Sequence, residues 1–320
     1  MRAHWDERLV GVPEEQKNTI IDTLTQSLMA STAQGYGLKW VNFVKFCLAQ
    51  PDQPMPLPAS TLTVVRWVTA EVCVGDKVKA KSLQPYLSAI NRVHTDLELP
   101  PPARGPLISQ ARRGIALRQS QHREAERTYL PAEAVERIAA WATAFDVSRC
   151  DAVTAALFRA AVAVVFAFVT FVRGDTGAGL LCKDLRWGDA LDSVIITLRR
   201  EKTQHMRKRM RTLTIPAAAV PSFAALLRKW EAFRGPLPAD ASYWKLPSER
   251  AAGAFVSTVI DTWLRCILLH LGIDPPPGEL WTGHSLRKGA ATGSHSIDVF
   301  LTKICHMGGW SITSTSVHEY

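Results

Sequence analysis

The sequence predicts a mainly α-helical protein with a small antiparallel β-sheet. Apolar residues recur at helical spacing from Ser31 to about Gln121, whereas strand-like segments are confined to residues 194–198 and 211–215. At 320 residues, 47% of them hydrophobic, the chain is long enough for two separate cores. We therefore expect a helical domain over residues 1–121, a linker over 122–129 and an α+β domain over 130–320.

Four helices make up the expected first domain. The first helix presents one apolar stripe, formed by Tyr36, Trp40, Phe43, Val44 and Cys47. A proline-rich connection over residues 51–58 follows it, and a second helix begins near Thr61. Ser82 is the expected N-cap of the third helix, with Pro85 in its first turn. The fourth helix is expected over residues 108–118.

The second domain is expected to begin with a helix at Leu130–Glu133. The apolar run from Ala160 to Val172 spans thirteen residues, which is too short to cross a bilayer and typical of a buried helix. Arg173 closes this helix, and the two strands with a basic turn between them follow. Further helices are expected to begin near Pro221, Val256 and Ser285.

Charge and cysteine usage limit the functional class. The formal net charge of +9 and the pI near 9.4 favour a polyanionic partner such as nucleic acid. The six cysteines are scattered and form no C-x-x-C pair, so we expect reduced core thiols rather than a zinc finger or a disulfide framework. The N-terminal residues lack the apolar core of a signal peptide. These features predict a soluble, intracellular protein.

Two basic regions are candidates for DNA binding. The first surrounds the turn between the strands and consists of Arg199, Arg200, Arg207, Lys208 and Arg209. The second covers the end of the helical domain and the linker and consists of Arg112, Arg113, Arg118, Arg123 and Arg127. A solvated surface remains open as an explanation for each region alone. Two such regions joined by a linker favour a clamp around duplex DNA, whose phosphates the cations would neutralise.

The C-terminal part of the chain contains groups suited to binding and attacking a phosphodiester. His284 and Arg287 lie three residues apart, so they share one face of a helix. A guanidinium binds two phosphate oxygens, an imidazole transfers a proton, and the indole of Trp310 donates a hydrogen bond. Tyr320 is the candidate nucleophile. Ordinary structural roles remain open to each residue singly, but their joint order favours catalysis.

Two further cations complete this candidate set. Arg173 follows an apolar helix, where its charge requires a partner; it could serve there as a helix cap paired with Asp175 or Asp184. Lys202 lies in the basic turn, where a lysine can protonate a leaving oxygen. A nucleotide-binding loop at residues 174–179 is excluded, because it follows a helix and no P-loop lysine comes after it.

With these residues in this order, the chain resembles the tyrosine recombinases, the phage integrase family, and in particular those of eukaryotic mobile elements of the Crypton or DIRS type. Residues 31–121, with Tyr36–Phe43 and Tyr86–Asn91, are similar to the core-binding domain of that family. Arg173 with Leu181–Trp187 matches its first arginine motif, and His284–Arg287 matches its His-x-x-Arg motif. The resemblance covers most of the chain and implies a helical core-binding domain followed by an α+β catalytic domain.

The resemblance also implies a reaction and the residues that perform it. The implied catalytic set consists of Arg173, Lys202, His284, Arg287, Trp310 and the nucleophile Tyr320. Attack by the tyrosine would give a 3′-phosphotyrosyl intermediate and a free 5′-hydroxyl, so that DNA is recombined without metal, ATP or another cofactor. The expected partner is double-stranded DNA, bound by a homotetramer that synapses two sites. For a eukaryotic element the place of action would be the nucleus.

Three departures from the family pattern and two alternative functions accompany this hypothesis. Thr176 stands where the family has an acidic residue, although Asp175 is adjacent, and the interval from Trp310 to Tyr320 is one residue longer than the commonest one. Relatives continue beyond the nucleophile, so the native protein is expected to be longer. The alternatives are a type IB topoisomerase and a domesticated DNA-binding protein without catalysis.

Overall fold

The computed structural model describes residues 11–25, 30–120, 125–199, 210–249, 255 and 258–311. The chain divides into two compact units, Met1–Arg123 and Glu124–Tyr320. Helices dominate both units, and the described ranges contain one three-stranded antiparallel sheet and one short parallel pair of strands. The predicted fold class is therefore confirmed.

The described part of the first unit contains helices, turns and loops and no strand. Its helices are α1 (Glu14–Thr25), α2 (Ala30–Ala49), α3 (Thr61–Trp67), α4 (Gln84–Asp96) and α5 (Pro106–Gln119). The Ser60 hydroxyl accepts the Thr63 N–H at 3.0 Å and caps α3, as is usual for serine at this position. The prediction of Ser82 as N-cap is wrong. Ser82 belongs to a preceding 3₁₀ turn, and α4 begins at Gln84 without a side-chain cap.

Aromatic and aliphatic side chains hold these helices together. Phe43 and Trp67 are buried with their ring centroids 5.2 Å apart. His94 is fully buried in the same unit, where its Nε2 accepts the Ala59 N–H and its Nδ1 donates to the Ile90 carbonyl, each at 2.9 Å. Burial lowers the pKa of His94, because the charged ring would lose its hydration.

The second unit is organised around one buried helix. Its helices are α6 (Ala132–Ala144), α7 (Ala152–Val169), α8 (Gly174–Ala178), α9 (Pro221–Arg234), α10 (Thr258–His270), α11 (Gly283–Ser296) and α12 (Leu301–Gly308). Helix α7 packs against α6, α9, α10 and α11, and residues 160–167 are all buried. In the described part of the chain, α7 alone is long and apolar enough for a membrane span. However, 61% of it is buried in the protein, as in a core helix.

The antiparallel sheet has three strands, which lie side by side in sequence order. The strands are β2 (Leu185–Trp187), β3 (Ser193–Leu198) and β4 (Arg211–Pro216), and Leu198 pairs with Arg211 at the end of the β3–β4 ladder. Val194, Ile196 and Leu198 alternate inward into the core, as the predicted strand pattern requires. The two predicted strands are confirmed, and β2 is a third one that the sequence pattern did not reveal.

The segment before the first candidate arginine differs from the prediction. Arg173 does not close the apolar helix, because α7 ends at Val169 and Phe171 adopts a left-handed conformation with φ +55°. Arg173 instead precedes α8 as its N-cap residue. Residues 170–172 are also buried, so the apolar run continues for three residues after the helix has ended.

The C-terminal half of the expected linker is part of the second unit. Glu126 and Arg127 form β1, which pairs in parallel with β5 (Glu279–Leu280). The Glu126 N–H donates to the Gly278 carbonyl at 2.8 Å, and the Thr128 hydroxyl donates to Glu279 Oε2 at 2.6 Å. This pairing places the segment directly beside the chain that leads into α11.

Candidate active site

A cleft in the second unit brings together residues that are far apart in the sequence. Its volume is about 240 Å³, and its lining residues are Arg173, Gly174, Asp175, Thr258, Asp261, Gly283, His284 and Arg287. Three of the predicted catalytic residues thus line one cleft. Arg173 comes from the start of α8, whereas His284 and Arg287 come from the N-terminal part of α11.

Local hydrogen bonds fix the N-terminus of α11. Thr282 is its N-cap: the Thr282 N–H donates to Ser285 Oγ at 3.0 Å, and the His284 N–H donates to Thr282 Oγ1 at 3.3 Å. The Gly283 N–H donates to Asp261 of α10. A Cβ at position 283 would lie 3.0 Å from Asp261 Oδ1, so glycine permits this close approach. His284 therefore lies in the first turn, where the helix dipole favours an anion.

Arg287 is fixed by contacts with three parts of the chain. Its side chain is 2% exposed, and its Nη1 donates to the Phe171 carbonyl at 2.6 Å. Its Nη2 donates to the Gly308 carbonyl at the end of α12. The guanidinium carbon also lies 3.8 Å from the ring centroid of Trp310. The position of this cation is therefore set by the protein itself, as electrostatic preorganisation requires.

Two glycines allow Trp310 to reach Arg287. Gly309 has φ +64°, and the N–H groups of Gly309 and Trp310 donate to His306 and Cys305 at 3.2 and 2.9 Å. This pattern is a Schellman motif, which turns the chain sharply after α12. A Cβ on Gly308 would come within 1.9 Å of the Trp310 ring. The Gly-Gly pair is thus needed for the stacking of the indole on the guanidinium.

The predicted acidic partners of Arg173 are engaged elsewhere. Asp175 accepts the Thr176 N–H at 2.9 Å in the first turn of α8. Asp184 is buried and pairs with Arg199, one of the predicted DNA-binding residues. Among the residues that the structure describes, the Arg173 guanidinium has no hydrogen-bond or ion-pair partner. Asp175 and Asp261 also line the cleft, and neither of them forms an ion pair with Arg173.

The environment of His284 favours its neutral form. Partial desolvation lowers the pKa of His284, and the charges of Arg287, Lys288, Arg173 and Arg127 lower it further. An imidazole with a pKa below the usual 6.5 is uncharged at neutral pH. His284 can therefore accept a proton in the cleft at physiological pH.

The segment after β1 lies against α11. The Leu130 N–H donates to the Ser285 carbonyl at 2.9 Å, and Lys288 Nζ donates to the Arg127 carbonyl at 3.4 Å. A Cβ on Gly289 would come within 2.0 Å of the Leu130 carbonyl oxygen. The contact brings Arg127 close to α11, and Lys288 lies one helical turn after His284, so these two cations outside the predicted catalytic set influence His284.

The predicted DNA-binding arginines of α5 do not share one groove. Arg112 is half-buried in a groove of about 530 Å³, where its Nη1 contacts Gln84 Oε1 at 3.4 Å. Arg118 is exposed and lines a second groove of about 500 Å³ with Cys73, and Arg113 is exposed. Six residues correspond to about one and two-thirds helical turns, so Arg112 and Arg118 project from different sides.

Several predicted residues lie outside the described ranges. They are Arg123, Arg200, Lys202, Arg207, Lys208, Arg209 and Tyr320. Arg199, by contrast, is described, and its pairing with Asp184 gives it a structural contact besides any contact with DNA. The roles predicted for the undescribed residues stay predictions.

Sequence reasoning missed several supports of the cleft. Arg211 Nη1 donates to the carbonyls of His306 and Met307 at 2.6 and 2.7 Å. Asp261 binds the N-terminus of α11, and Phe171 supplies an acceptor to Arg287. The sequence does show that a cation, Arg211, stands at the start of a predicted strand. However, nothing local indicates the helix end that it contacts 95 residues later.

The arrangement is suited to a reaction at a phosphodiester. Two guanidinium groups and a helix N-terminus surround the cleft and would stabilise negative charge on phosphate oxygens. A neutral imidazole is placed among them to move a proton. Charge that develops in a transition state would therefore meet cations that are already in position.

Comparison with known proteins shows similarity in structure only. No family model matches the sequence, and no curated protein matches it. The Tn1549 transposon integrase in complex with transposon right end DNA has a TM-score of 0.59 at 12% identity, covering 99% of this chain and 93% of that one. The XerH site-specific recombinase bound to palindromic difH substrate, a post-cleavage complex, has a TM-score of 0.59 at 13% identity, covering 89% and 75%.

The lambda integrase tetramer bound to a Holliday junction has a TM-score of 0.55 at 16% identity. It covers 94% of this chain and 76% of that one. At 12 to 16% identity these likenesses concern the backbone arrangement and leave the chemistry to be argued from the residues of this chain. Its structural neighbours are recombinases and integrases, and the chain has the lambda integrase-like fold of the tyrosine recombinases.

Proposed function

We propose that this protein is a site-specific DNA recombinase that cleaves and rejoins DNA through a 3′-phosphotyrosyl intermediate on Tyr320. One observation carries the proposal: Arg173 lines a single cleft with His284 and Arg287, which lie more than one hundred residues later, in a tyrosine recombinase fold. The fold alone does not establish an activity. The support for a recombinase activity comes from the cations and the imidazole that line this cleft.

The two arginines share one role in the proposed reaction but are held differently. Both neutralise the non-bridging oxygens of the scissile phosphate as charge accumulates on them, which is typically the largest catalytic contribution of such groups. Arg287 is held by backbone carbonyls and Trp310 before DNA arrives. Arg173, without a described partner, is available to pair directly with the phosphate.

Proton transfer in the proposal involves a base and an acid. His284, neutral at physiological pH, takes the phenolic proton of Tyr320 or relays it through the phosphate. Lys202 gives a proton to the departing 5′-oxygen. Trp310 supports the site by stacking on Arg287 and by donating its indole N–H. The phosphotyrosyl ester conserves the energy of the phosphodiester bond, so religation needs no ATP, and the proposed reaction uses no metal ion.

The proposed partner is double-stranded DNA. Arg112, Arg113 and Arg118 in the first unit would bind its backbone together with Arg123 and the basic segment 199–209, and each lost phosphate contact would weaken the salt dependence of binding. The proposal includes a homotetramer on synapsed sites, as in the lambda integrase tetramer on a Holliday junction. It also includes a eukaryotic mobile element as the source, with the nucleus as the place of action, on the strength of the sequence resemblance.

Covalent trapping on a nicked suicide DNA substrate tests the proposal. The substrate would be taken from DNA that flanks the gene, and full-length wild-type protein would be compared with Tyr320→Phe. We expect a denaturation-resistant protein–DNA adduct that the substitution abolishes, because the phenolic oxygen is the nucleophile. Cleavage on one strand with a free 5′-hydroxyl would establish the polarity of the intermediate.

The other outcomes discriminate the alternatives. An adduct in both proteins would assign the nucleophile to another residue, and binding without an adduct in either would support the non-catalytic DNA-binding protein. Relaxation of supercoiled DNA by a monomer, without exchange between two duplexes, would support the topoisomerase.

A further inference from the structure

Arg211 connects the edge of the sheet to the last helix of the described chain. It is the first residue of β4 and pairs with Leu198 across the β3–β4 ladder. Its guanidinium crosses to the C-terminal turn of α12, where Nη1 donates to the carbonyls of His306 and Met307 at 2.6 and 2.7 Å. Both distances are those of strong, charge-assisted hydrogen bonds.

The acceptors are carbonyls of the last helical turn, of which that of His306 also accepts the Gly309 N–H. The last four C=O groups of a helix have no partner within it, and the negative end of the helix dipole makes them favourable sites for a cation. In α12, Arg211 donates to the carbonyls of His306 and Met307, and Arg287 donates to the next carbonyl, that of Gly308. Two arginines from different elements thus hold three consecutive carbonyls.

This shared helix end determines where Trp310 lies. Gly308 contacts Arg287 through its carbonyl, and the Schellman motif directly after it places the indole 3.8 Å from the Arg287 guanidinium. A shift of the C-terminus of α12 would move both the Gly308 carbonyl, which accepts from Arg287, and the Trp310 ring that stacks on it. Arg211 is the contact that opposes such a shift from the side of the sheet.

We propose that Arg211 is a positioning residue of the candidate active site, which fixes the C-terminal turn of α12 and thereby the geometry of Arg287 and Trp310. This inference rests on the proposed recombinase function for its catalytic consequence. Arg211 acts through α12, and it does not itself touch the reacting phosphate. Arg211 also follows the segment that contains Lys202, the proposed acid for the leaving group. An effect of Arg211 on Lys202 must therefore be separated by experiment from its effect on α12.

Three variants test the proposal. Arg211→Met removes the charge and the donors while retaining much of the length, and Arg211→Lys restores a cation with a different geometry. Arg228→Met is the matched control: Arg228 Nη2 donates to the Leu191 carbonyl at 2.7 Å and stacks on Trp187 at 4.7 Å, in a part of the unit that does not line the cleft. All three would be compared with wild type on the suicide substrate.

The rate of cleavage and the affinity for DNA are measured separately. For Arg211→Met we expect single-turnover cleavage to fall about tenfold to 10²-fold, the range that follows from displacement of a catalytic group by an ångström or less. The Kd for DNA should change little, and Arg211→Lys should recover part of the rate. A rate equal to that of Arg228→Met would overturn the proposal. So would a loss explained by Kd, since Arg211 would then be a DNA-binding residue.

A substrate with sulfur at the 5′-bridging position separates the two sides of the reaction. A thiolate leaves without a proton, so this substrate should restore cleavage by Lys202→Ala, if Lys202 is the acid. Arg211→Met should remain slow on it, because its defect concerns Arg287 and Trp310. Recovery of Arg211→Met on the sulfur substrate would overturn the proposed route through α12.

Hydrogen exchange provides a test that does not depend on activity. Backbone amides of residues 305–310 should exchange faster in Arg211→Met than in wild type and Arg228→Met, because the helix end has lost its anchor. Unchanged exchange there would contradict the positioning role. If the wild type itself forms no DNA adduct while exchange changes as expected, the structural inference holds and the proposed recombinase function fails.

Discussion

Arg287 donates a hydrogen bond of 2.6 Å to the carbonyl oxygen of Phe171, a residue held in the left-handed region at φ +55°. Such a conformation costs a bulky residue of order 1–3 kcal/mol and persists only where the surroundings enforce it. Phe171 is buried beside Ala290, Ala291 and Ile304, so packing maintains the turn. The strained turn places an acceptor for one arginine and then leads directly to the other, Arg173.

The two arginines should therefore differ in what their removal does. Arg287→Ala leaves the Phe171 and Gly308 carbonyls without their donor, and each buried unsatisfied group costs about 1–3 kcal/mol. Arg173→Ala removes a side chain for which the described residues provide no partner. Both substitutions should reduce cleavage about 10²–10³-fold, but only Arg287→Ala should clearly lower the free energy of unfolding. Denaturant unfolding beside single-turnover cleavage would measure both effects.

A conservative substitution provides the control for Arg287. Lysine keeps the charge but cannot donate to two carbonyls in the fixed fork of a guanidinium. Arg287→Lys should thus remain impaired in cleavage. Cleavage by either alanine variant within tenfold of wild type would exclude that arginine from the catalytic set.

The pH dependence of cleavage should report the lowered pKa of His284. A histidine base works only when neutral, so the rate should fall on the acidic side, with a midpoint below the usual 6.5. Desolvation is the main cause of the lowered pKa, and Arg127 and Lys288 add repulsion. The variant with both Arg127→Gln and Lys288→Gln should shift the midpoint upwards, because fewer cations oppose the imidazolium. NMR titration of the His284 ring would measure the shift directly, and an unchanged midpoint would contradict this account.

Gly308→Ala should disturb the stacking between Trp310 and Arg287. The added Cβ would fall within 1.9 Å of the indole, so the ring must move or the helix end must shift, at a cost of about 1–3 kcal/mol for overpacking. Gly293→Ala in α11 is the control, because nothing lies within 4 Å of its Cβ position. The control should be neutral or stabilising by about 0.5–1 kcal/mol. Thermal unfolding and cleavage rates would be measured for both variants. Equal stabilities and equal rates would show that Gly308 does not limit the position of the Trp310 indole.

The first unit should lose stability as the pH falls. His94 has a lowered pKa in the folded unit, so its neutral form is stabilising above the unfolded value of about 6.5. Below that value the unfolded chain binds a proton more readily than the folded unit, and stability declines towards the folded pKa. His94→Gln should flatten this dependence, although it also weakens the unit. Hydrogen exchange of residues 84–96 at several pH values would detect the effect, and an identical slope in both proteins would refute it.

The order of the helices was predictable because local signals mark it. Pro85, Pro221 and the apolar spacing around Trp40 depend only on neighbouring residues, and the strands over 194–198 and 211–215 show inward alternation. The fold class follows from these elements. The grouping of Arg173 with His284 and Arg287 was expected from the motif resemblance rather than from any local physical signal.

The supporting contacts were not predictable, because tertiary packing determines them. The left-handed turn at Phe171 lies inside an apolar run that reads as continuous helix. The contact between Arg211 and the end of α12 joins residues 95 positions apart, and charge alone does not specify its acceptor. Ser82 was a reasonable N-cap by residue type, but the 3₁₀ turn that contains it moves the N-cap to Leu83, one residue later.

The contact of Leu130 with Gly289 determines how the second unit can be isolated. The chain from Glu126 to Leu130 pairs with β5 and then lies against α11 so closely that a glycine is needed there. A protease that cuts after residue 130 would remove a strand from the sheet pair and a donor from the Ser285 carbonyl. A fragment that starts before Glu126 should fold, whereas one that starts at Pro131 should expose to solvent the face of α11 that Leu130 covers.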